Sequence, residues 1–278
     1  QGHSCKLALA HLHHVGARIE LQAFVADHAA VHAHAATIDQ AARLASRGRQ
    51  IGGLEQRGNV FGLDETQQPT MQDMQERLDA PAIHAGVRDT GGRVVLSIFN
   101  CKKPVIGAIN GAAVGIGATM TLPMDIRIAS EKARIGFVFG RIGIVPEACS
   151  SWFLPRIVGI SQALEWTYMA DIFDGHEAQR GGLVKCVVPP EQLLDEALKI
   201  ARRIATERSA VGIALTRQMM YRNAAQPHPL AAHQVDSLAM FYTSIGDGKE
   251  GVQAFLDKRP AQFQGKASEM PPFYPWWE

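Results

Sequence analysis

Regular spacing of apolar and polar positions begins near residue 92. Residues 93–99 place their apolar side chains as a helix does, and residues 104–109 form a short apolar run typical of a strand covered on both faces. A glycine-rich turn follows, then helical spacing over 116–122 and two short strands over 125–129 and 133–137. The order strand, turn, helix, strand predicts an α/β fold.

Beyond residue 150 the apolar spacing is mainly helical. The predicted helices are 152–158, 161–169, 177–182, 190–206, 210–222, 229–242 and 248–257. Between them, the β-branched run at 183–188 is the last predicted strand. The C-terminal part of the chain is therefore expected to be a helical region.

The first 90 residues are much less regular. Seven of the eleven histidines lie before residue 35, in an Ala- and His-rich stretch without clear alternation. Residues 38–48 predict a short amphipathic helix, and the Gly-, Gln- and Pro-rich residues 50–89 predict a long loop with one helix near 71–78. His11, His13 and His14 have no cysteine or acidic neighbour, so we expect no metal site.

These patterns divide the 278 residues into four segments. Residues 1–4 resemble a tag remnant, residues 5–57 form an atypical N-terminal segment of the core, residues 58–189 form the core and residues 190–278 form the helical region. One α/β domain with a helical tail accommodates this length.

Composition excludes several classes of function. A net charge of +1 provides no general field to recruit nucleic acid or an anionic membrane surface, and no apolar run is long enough for a membrane helix. The four scattered cysteines contain no Cys-x-x-Cys pair, and no signal-peptide pattern is present. We expect a cytoplasmic protein that binds neither nucleic acid nor membrane.

The turn at residues 110–117, Asn-Gly-Ala-Ala-Val-Gly-Ile-Gly, feeds the predicted strand into a helix. The first N–H groups of such a helix have no partner inside it and lie at its positive end, so they favour negative charge. The glycine spacing alone is a weak signal, because phosphate loops and purely structural turns also use it. No Lys followed by Ser or Thr comes after the glycines, and the dinucleotide-binding order is not met.

The wider sequence resembles the crotonase superfamily of enoyl-CoA hydratases and isomerases. The resemblance rests on residues 103–117 (Lys-Pro-Val-Ile-Gly-Ala-Ile-Asn-Gly-Ala-Ala-Val-Gly-Ile-Gly) and 124–130 (Met-Asp-Ile-Arg-Ile-Ala-Ser), with further matches at 140–146, 156–159 and 177–184. It implies a ββα spiral core with a C-terminal helical trimerisation region, and acyl-CoA substrates. It implies no cofactor, since coenzyme A is part of the substrate.

In that family two backbone N–H groups hold the thioester oxygen while an enolate forms. By resemblance, one belongs to Ile116, beside Gly115, which would line the substrate. The segment that normally supplies the other is missing, and Gln50-Ile-Gly-Gly-Leu54 is the nearest equivalent. It nominates Gly52, although an ordinary loop glycine is an equally good interpretation.

The family's hydratases place two glutamates around the substrate, and Thr119 and Phe139 stand at those two positions here. Neither is a carboxylic acid, so both are assigned to substrate binding. Glu147 lies in Val145-Pro-Glu-Ala-Cys-Ser-Ser151, which resembles the Pro-Glu-Gly-Cys-Ser-Ser stretch of the Δ3,Δ2-enoyl-CoA isomerases. One base suffices to move a double bond. The alternative role for Glu147 is a helix-start carboxylate.

The resemblance also extends to residues 251–259, the family element that reaches the adenine and phosphates of coenzyme A. Phe255 and Lys258 match those roles, and the alternative is an amphipathic helix with one core aromatic and one solvated lysine. The helical tail of the family builds a homotrimer or homohexamer, in which apolar faces of residues 190–245 and the aromatic residues 273–277 would be buried.

Three hypotheses follow: an isomerase that uses Glu147, a hydratase or hydrolase with non-standard water activation, and a noncatalytic acyl-CoA-binding protein. Residues 1–57 match neither the family's early strands nor its first oxyanion motif. A reading-frame slip upstream of Gly58 and a divergent N-terminal region are the two explanations.

Overall fold

The structure, a computed structural model, describes residues 8–11, 21–25, 88–271 and 273. The first part contains β1 (Ala8–His11), β2 (Leu21–Val25), α1 (Thr90–Phe99), β3 (Val105–Ile109), β4 (Ala112–Val114), α2 (Ile116–Thr119), β5 (Ile126–Ser130), β6 (Arg134–Gly136) and a 3-10 helix (Val138–Ile142). The second part contains α3 (Ser150–Val158), α4 (Ile160–Met169), β7 (Ile172–Asp174), α5 (Gly175–Arg180), β8 (Val187–Val188), a 3-10 helix (Pro190–Gln192), α6 (Leu193–Glu207), α7 (Ala210–Asn223), α8 (Pro229–Ile245) and α9 (Asp247–Leu256).

The strands form two sheets. The larger has the order β1-β2-β3-β5-β8, in which β3, β5 and β8 are parallel and β1 and β2 are antiparallel to their neighbours. The smaller has the order β4-β6-β7. The chain passes from the larger to the smaller sheet twice. It goes first from β3 to β4, followed by α2, and then from β5 to β6, followed by the 3-10 helix Val138–Ile142. The predicted α/β class is confirmed, and this repeated unit matches the expected ββα spiral.

Strand β3 is buried along its whole length, and its side chains alternate between two cores. Val105 and Ile109 belong to the main core, which also contains residues of α1 and α3. Ile106 and Ala108 face the other way, into a cluster with residues of α6. This alternation follows from the two-residue period of a strand, and burial on both faces explains the uninterrupted apolar run.

Several predicted elements need correction. The N-terminal segment does contain early strands, because β2 pairs with β3 from Leu21 opposite Ile109 to Val25 opposite Val105. The strand predicted at 183–188 shortens to Val187–Val188, and β4 and β7 were missed. Each of these strands is at most five residues long, so pairing with an existing sheet edge decides them more than local periodicity does.

Helix predictions fare better, with one exception. The helix predicted at 116–122 ends at Thr119, after one turn. The seven helices predicted beyond residue 150 are all present within the described part of the chain, with ends shifted by a few residues. The helices predicted at 38–48 and 71–78 lie outside the described residues.

A buried ion pair joins α7 of the helical tail to the core. Arg217 of α7 is buried and bonds both carboxylate oxygens of Asp125, at 3.0 and 2.8 Å. Val211, Leu215 and Ala239 of α7 and α8 form a separate small core, against which Phe273 packs. Residues 274–277 of the aromatic tail lie outside the described residues. Among the described helices, none has the length and apolar character needed to cross a membrane.

Candidate functional site

Glu147 lies in the segment between the 3-10 helix Val138–Ile142 and α3, and its side chain is partly buried. The hydroxyl of Thr119, which is fully buried at the end of α2, donates a hydrogen bond of 2.8 Å to Oε1 of Glu147. The pKa of Glu147 is raised from its ordinary value of 4.5 to about 7. Burial is the largest cause, the hydrogen bond from Thr119 opposes the rise, and the neighbouring Asp89 adds to it. The structure therefore brings Thr119 into contact with Glu147, whose carboxyl has a pKa near neutral pH.

Asp89 is a second carboxyl at this site, and it belongs to no motif of the sequence that predicts a functional role. It is the N-cap residue of α1, where its side chain accepts a hydrogen bond from the N–H of Gly92. The same Oδ1 accepts one from the N–H of Ala148, at 3.2 Å. The N-cap role was readable from an aspartate placed before an apolar helix. Its proximity to Glu147 was not, because 58 positions of chain separate the two residues.

Gly91, in the first turn of α1, lies against the same carboxyl. A Cβ atom at Gly91 would be 2.2 Å from Oε2 of Glu147 and 2.6 Å from Cδ1 of Ile116. Only a residue without a side chain leaves room for both. The start of α1, the start of α2 and Glu147 therefore converge on one place.

The backbone after Glu147 adopts an unusual conformation. Ala148 and Cys149 have φ values of +57° and +56°, in the left-handed region, although neither is glycine. Such residues cost about 1–3 kcal/mol each and tend to occur at functional sites. Helix α3 begins only at Ser150, with Cys149 as its cap residue, so the Glu147 side chain bonds Thr119 instead of serving as a helix-start carboxylate.

Cys149 is a poor candidate for a nucleophile. Its pKa is raised by burial and by the charges of Asp89 and Glu147, so the reactive thiolate is disfavoured. The Cys149 side chain packs against the main core instead.

The glycine turn has the geometry that its sequence requires. Gly115 has φ of +60°, where glycine is favoured, and its N–H donates to the carbonyl of Gly136 at 3.0 Å. Ile116 is the first residue of α2, so its N–H has no acceptor within the helix. The assignment of that N–H to an oxyanion site stays a prediction.

The remaining predicted site residues lie elsewhere. Phe139 is buried in the main core, within the 3-10 helix that precedes Glu147. Phe255 is 82% exposed on α9, and Lys258 is exposed just beyond that helix. Gly52 lies outside the described residues. The roles assigned to all four stay predictions.

The arrangement suits proton transfer to and from carbon. A carboxyl whose pKa is near 7 is an effective base when ionised and an effective acid when protonated. Across the described residues, no cluster of three or more His, Cys, Asp or Glu side chains has the geometry of a metal site. The chemistry available from these side chains is acid–base chemistry at Glu147.

Comparison with known proteins gives a consistent result. The Enoyl-CoA hydratase/isomerase family profile matches residues 69–266. An enoyl-CoA hydratase of Alternaria alternata is 45% identical over 185 residues, which is 66% of this chain and 62% of the relative. A 1,2-epoxyphenylacetyl-CoA isomerase of Escherichia coli K12 is 34% identical over 190 residues, which is 67% of this chain and 71% of the relative. This chain thus spans less than two thirds of the length of the Alternaria protein.

Solved structures agree with the sequence relatives. An enoyl-CoA hydratase from Bacillus anthracis superimposes with a TM-score of 0.60 at 30% identity, covering 70% of this chain and 75% of that one. An enoyl-CoA hydratase/isomerase from Cupriavidus metallidurans gives 0.60 at 29% identity, covering 71% and 75%. The ββα spiral is therefore the crotonase fold, and this chain belongs to the enoyl-CoA hydratase/isomerase family.

Proposed function

We propose that this protein moves a carbon–carbon double bond of an acyl-CoA thioester between the β,γ and α,β positions, with Glu147 as its one acid and base. The observation that carries the proposal is the state of Glu147: its carboxyl is bonded by Thr119, and its pKa is raised to about 7. By resemblance to the family, Thr119 and Phe139 stand at the two positions where its hydratases carry glutamates. Neither side chain can transfer a proton as a carboxyl does.

In this reaction the ionised carboxylate of Glu147 takes a proton from C2 of a 3-enoyl thioester. The C–H electrons form a C2–C1 double bond as negative charge moves to the thioester oxygen, giving a dienolate. The protonated carboxyl then returns the proton to C4, and the double bond settles between C2 and C3. Positioned acid–base catalysis contributes about 10²- to 10⁴-fold, and one oxyanion donor, assigned to the Ile116 N–H, contributes about 3–4 kcal/mol.

The remaining parts of the proposal concern substrate binding and assembly. Phe255 and Lys258 are exposed, as residues that meet the nucleotide part of coenzyme A must be. Helix α8 exposes several large apolar side chains, namely Leu230, Leu238, Met240, Phe241 and Ile245. Burial of this surface between copies favours the proposed homotrimer or homohexamer.

Hydration is the second candidate. Two observations favour it: relatives such as the Alternaria protein are named hydratases, and Asp89 supplies a second carboxyl beside Glu147. Against it, one oxygen of Asp89 already accepts two backbone hydrogen bonds. That carboxyl is engaged in holding the backbone, so it is a poor group to activate water.

The test compares the wild-type protein with Glu147→Gln and with Glu131→Gln, a control at an exposed glutamate in the turn after β5. Each protein receives 3-enoyl-CoA and 2-enoyl-CoA, and the products are identified by absorbance of the conjugated thioester and by mass. An isomerase changes the absorbance without changing the mass, whereas a hydratase adds the mass of one water. We expect Glu147→Gln to lose at least about 10²-fold in isomerisation with its fold retained, and Glu131→Gln to keep full activity.

Full isomerase activity in Glu147→Gln would refute the mechanism. A hydrated product that forms from 2-enoyl-CoA faster than isomerisation would establish the second candidate instead. Tight coenzyme A binding without turnover of either substrate would favour a noncatalytic binding protein.

A further inference from the structure

The start of α1 is built to hold two carboxyls side by side. Its first residues after the cap are Thr90, Gly91 and Gly92, although glycine costs about 1 kcal/mol relative to alanine inside a helix. A Cβ at Gly91 would collide with Oε2 of Glu147, and one at Gly92 would lie 3.0 Å from Oδ2 of Asp89. The missing side chains leave the space that the two carboxyls occupy.

Asp89 connects this helix to the segment that carries Glu147. Its Oδ1 accepts one hydrogen bond from Gly92, inside α1, and another from Ala148, the residue directly after Glu147. Ala148 is completely buried and is in the left-handed conformation. A hydrogen bond to its N–H therefore helps to hold the strained turn that fixes the direction of the Glu147 side chain.

Asp89 also acts on Glu147 electrostatically. Its negative charge and its hydrogen bond with Glu147 both raise the pKa of Glu147, and burial is the largest cause of the rise. Thr119, from α2, opposes it with its donated hydrogen bond. Gly91 from α1, Ile116 from α2 and Ala148 from its own segment also lie at this place. Within the described chain, Asp89 is the one charged group among the causes of the Glu147 shift.

We propose that Asp89 is a positioning residue, which fixes the orientation of Glu147 through the Ala148 N–H and places a negative charge beside its carboxyl. The two effects have one origin, because a carboxylate is both a strong acceptor for N–H groups and a like charge for its neighbour. The catalytic consequence rests on the proposed isomerase function. The effect on the titration of Glu147 does not.

The alternative is that Asp89 is only a helix cap. Asp89→Asn separates the two, because asparagine is as good a cap as aspartate and keeps an oxygen for the N–H groups of Gly92 and Ala148. It removes the charge and replaces a repulsive neighbour by a hydrogen-bond donor. Asp174→Asn is the matched control, since Asp174 caps α5 through the N–H of Glu177 and is not among the groups that shift Glu147.

The experiment is a carboxyl-carbon NMR titration of the protein labelled at glutamate, with the Glu147 signal assigned by its loss in Glu147→Gln. We expect a wild-type midpoint near the value of about 7 and a midpoint lower by about one pH unit in Asp89→Asn. Asp174→Asn should leave it unchanged. Thr119→Val should move it the other way, because it removes the bond that favours the ionised form.

An unchanged midpoint in a folded Asp89→Asn protein would overturn the proposal. If that variant does not fold, Asp89→Ser serves the same purpose, since serine caps α7 of this chain in the same manner at Ser209. The pH profile of turnover is the second readout, and its acid limb should shift to lower pH together with the NMR midpoint. A shifted midpoint with an unshifted profile would support the positioning role of Asp89 and count against Glu147 as the catalytic base.

Discussion

Two groups of buried charge show how differently this fold uses ionised side chains. At the base of the helical tail, Arg217 meets Asp125, and their side chains are only 4% and 19% exposed. At the candidate site, Glu147 meets Asp89, a group of the same sign. The first pair has opposite charges, which attract. The second pair has like charges, which repel, and backbone N–H groups that donate to Asp89 keep its carboxyl beside Glu147.

The partners of each group account for the difference. Arg217 also donates to the carbonyls of Phe99 at 2.7 Å and Ile98 at 2.9 Å, so its charge is almost fully engaged by the end of α1. Asp125 accepts a further hydrogen bond from the N–H of Val105 at 2.7 Å. Glu147 accepts a hydrogen bond from Thr119, and among the described residues no cation contributes to the shift of its pKa. A fully paired buried charge becomes costly when its partner is removed, whereas a poorly compensated carboxyl is free to exchange a proton.

The largest expected effect comes from breaking the attractive pair. Arg217→Met leaves the partly buried Asp125 without its cation and several carbonyls without their donor, so we expect a loss of about 3–5 kcal/mol in the free energy of unfolding. Urea denaturation measures it. Arg141→Met is the control, because Arg141 pairs with Asp171 on the surface, and its loss should stay within about 1 kcal/mol. Equal losses in both variants would contradict the structural role given to Arg217.

A smaller effect, on activity instead of stability, is expected from crowding the repulsive pair. Gly91→Ala places a methyl group where Oε2 of Glu147 lies, and the flexible end of that side chain must move away. Misplacement of a catalytic group by about 1 Å costs roughly 10²-fold in rate, so turnover should fall by about that factor while the unfolding free energy changes little.

Gly212→Ala is the control for that substitution. Gly212 also lies in the first turn of a capped helix, but a Cβ there would be 3.3 Å from the Ser209 hydroxyl, a contact that a small shift relieves. Turnover should not change. Undiminished turnover in Gly91→Ala would show that Glu147 does not need its present position.

The smallest expected effect is a gain in stability. The folded pKa of Glu147, about 7, lies above its ordinary value of 4.5, so between these pH values the folded state holds a proton that the unfolded chain has released. Stability therefore falls as pH rises through this window, and the full penalty is present above it. Glu147→Gln removes the ionisable group, so it should stabilise the protein by about 1–2 kcal/mol near pH 8 and by almost nothing near pH 4. Partial exposure of Glu147 to solvent keeps the gain this small.

Urea denaturation of both proteins at the two pH values checks this. A variant that is less stable than the wild type near pH 8 would mean that Glu147 contributes to folding, as Asp125 does, and the contrast between the two groups would fail.

The sequence predicted long helices and the central strand β3 well, because their periodicity extends over enough residues to identify them. It failed on the short strands β1, β2, β4 and β7, whose residues form strands because a partner strand is present. At the site it identified Glu147 and Thr119 by resemblance but treated Thr119 as a lost carboxylate. It did not foresee that the Thr119 hydroxyl bonds Glu147.

The sequence by itself determined the α/β class, the glycine turn before α2 and the presence of one carboxyl in the Val-Pro-Glu segment. Only the tertiary structure decided which groups lie next to that carboxyl. Asp89 and Gly91, at the start of α1, and Thr119, at the end of α2, lie far from Glu147 along the chain, and each acts on Glu147 within a few ångströms. Electrostatic and steric effects at such range depend on distances across the fold, which local spacing in a sequence does not encode.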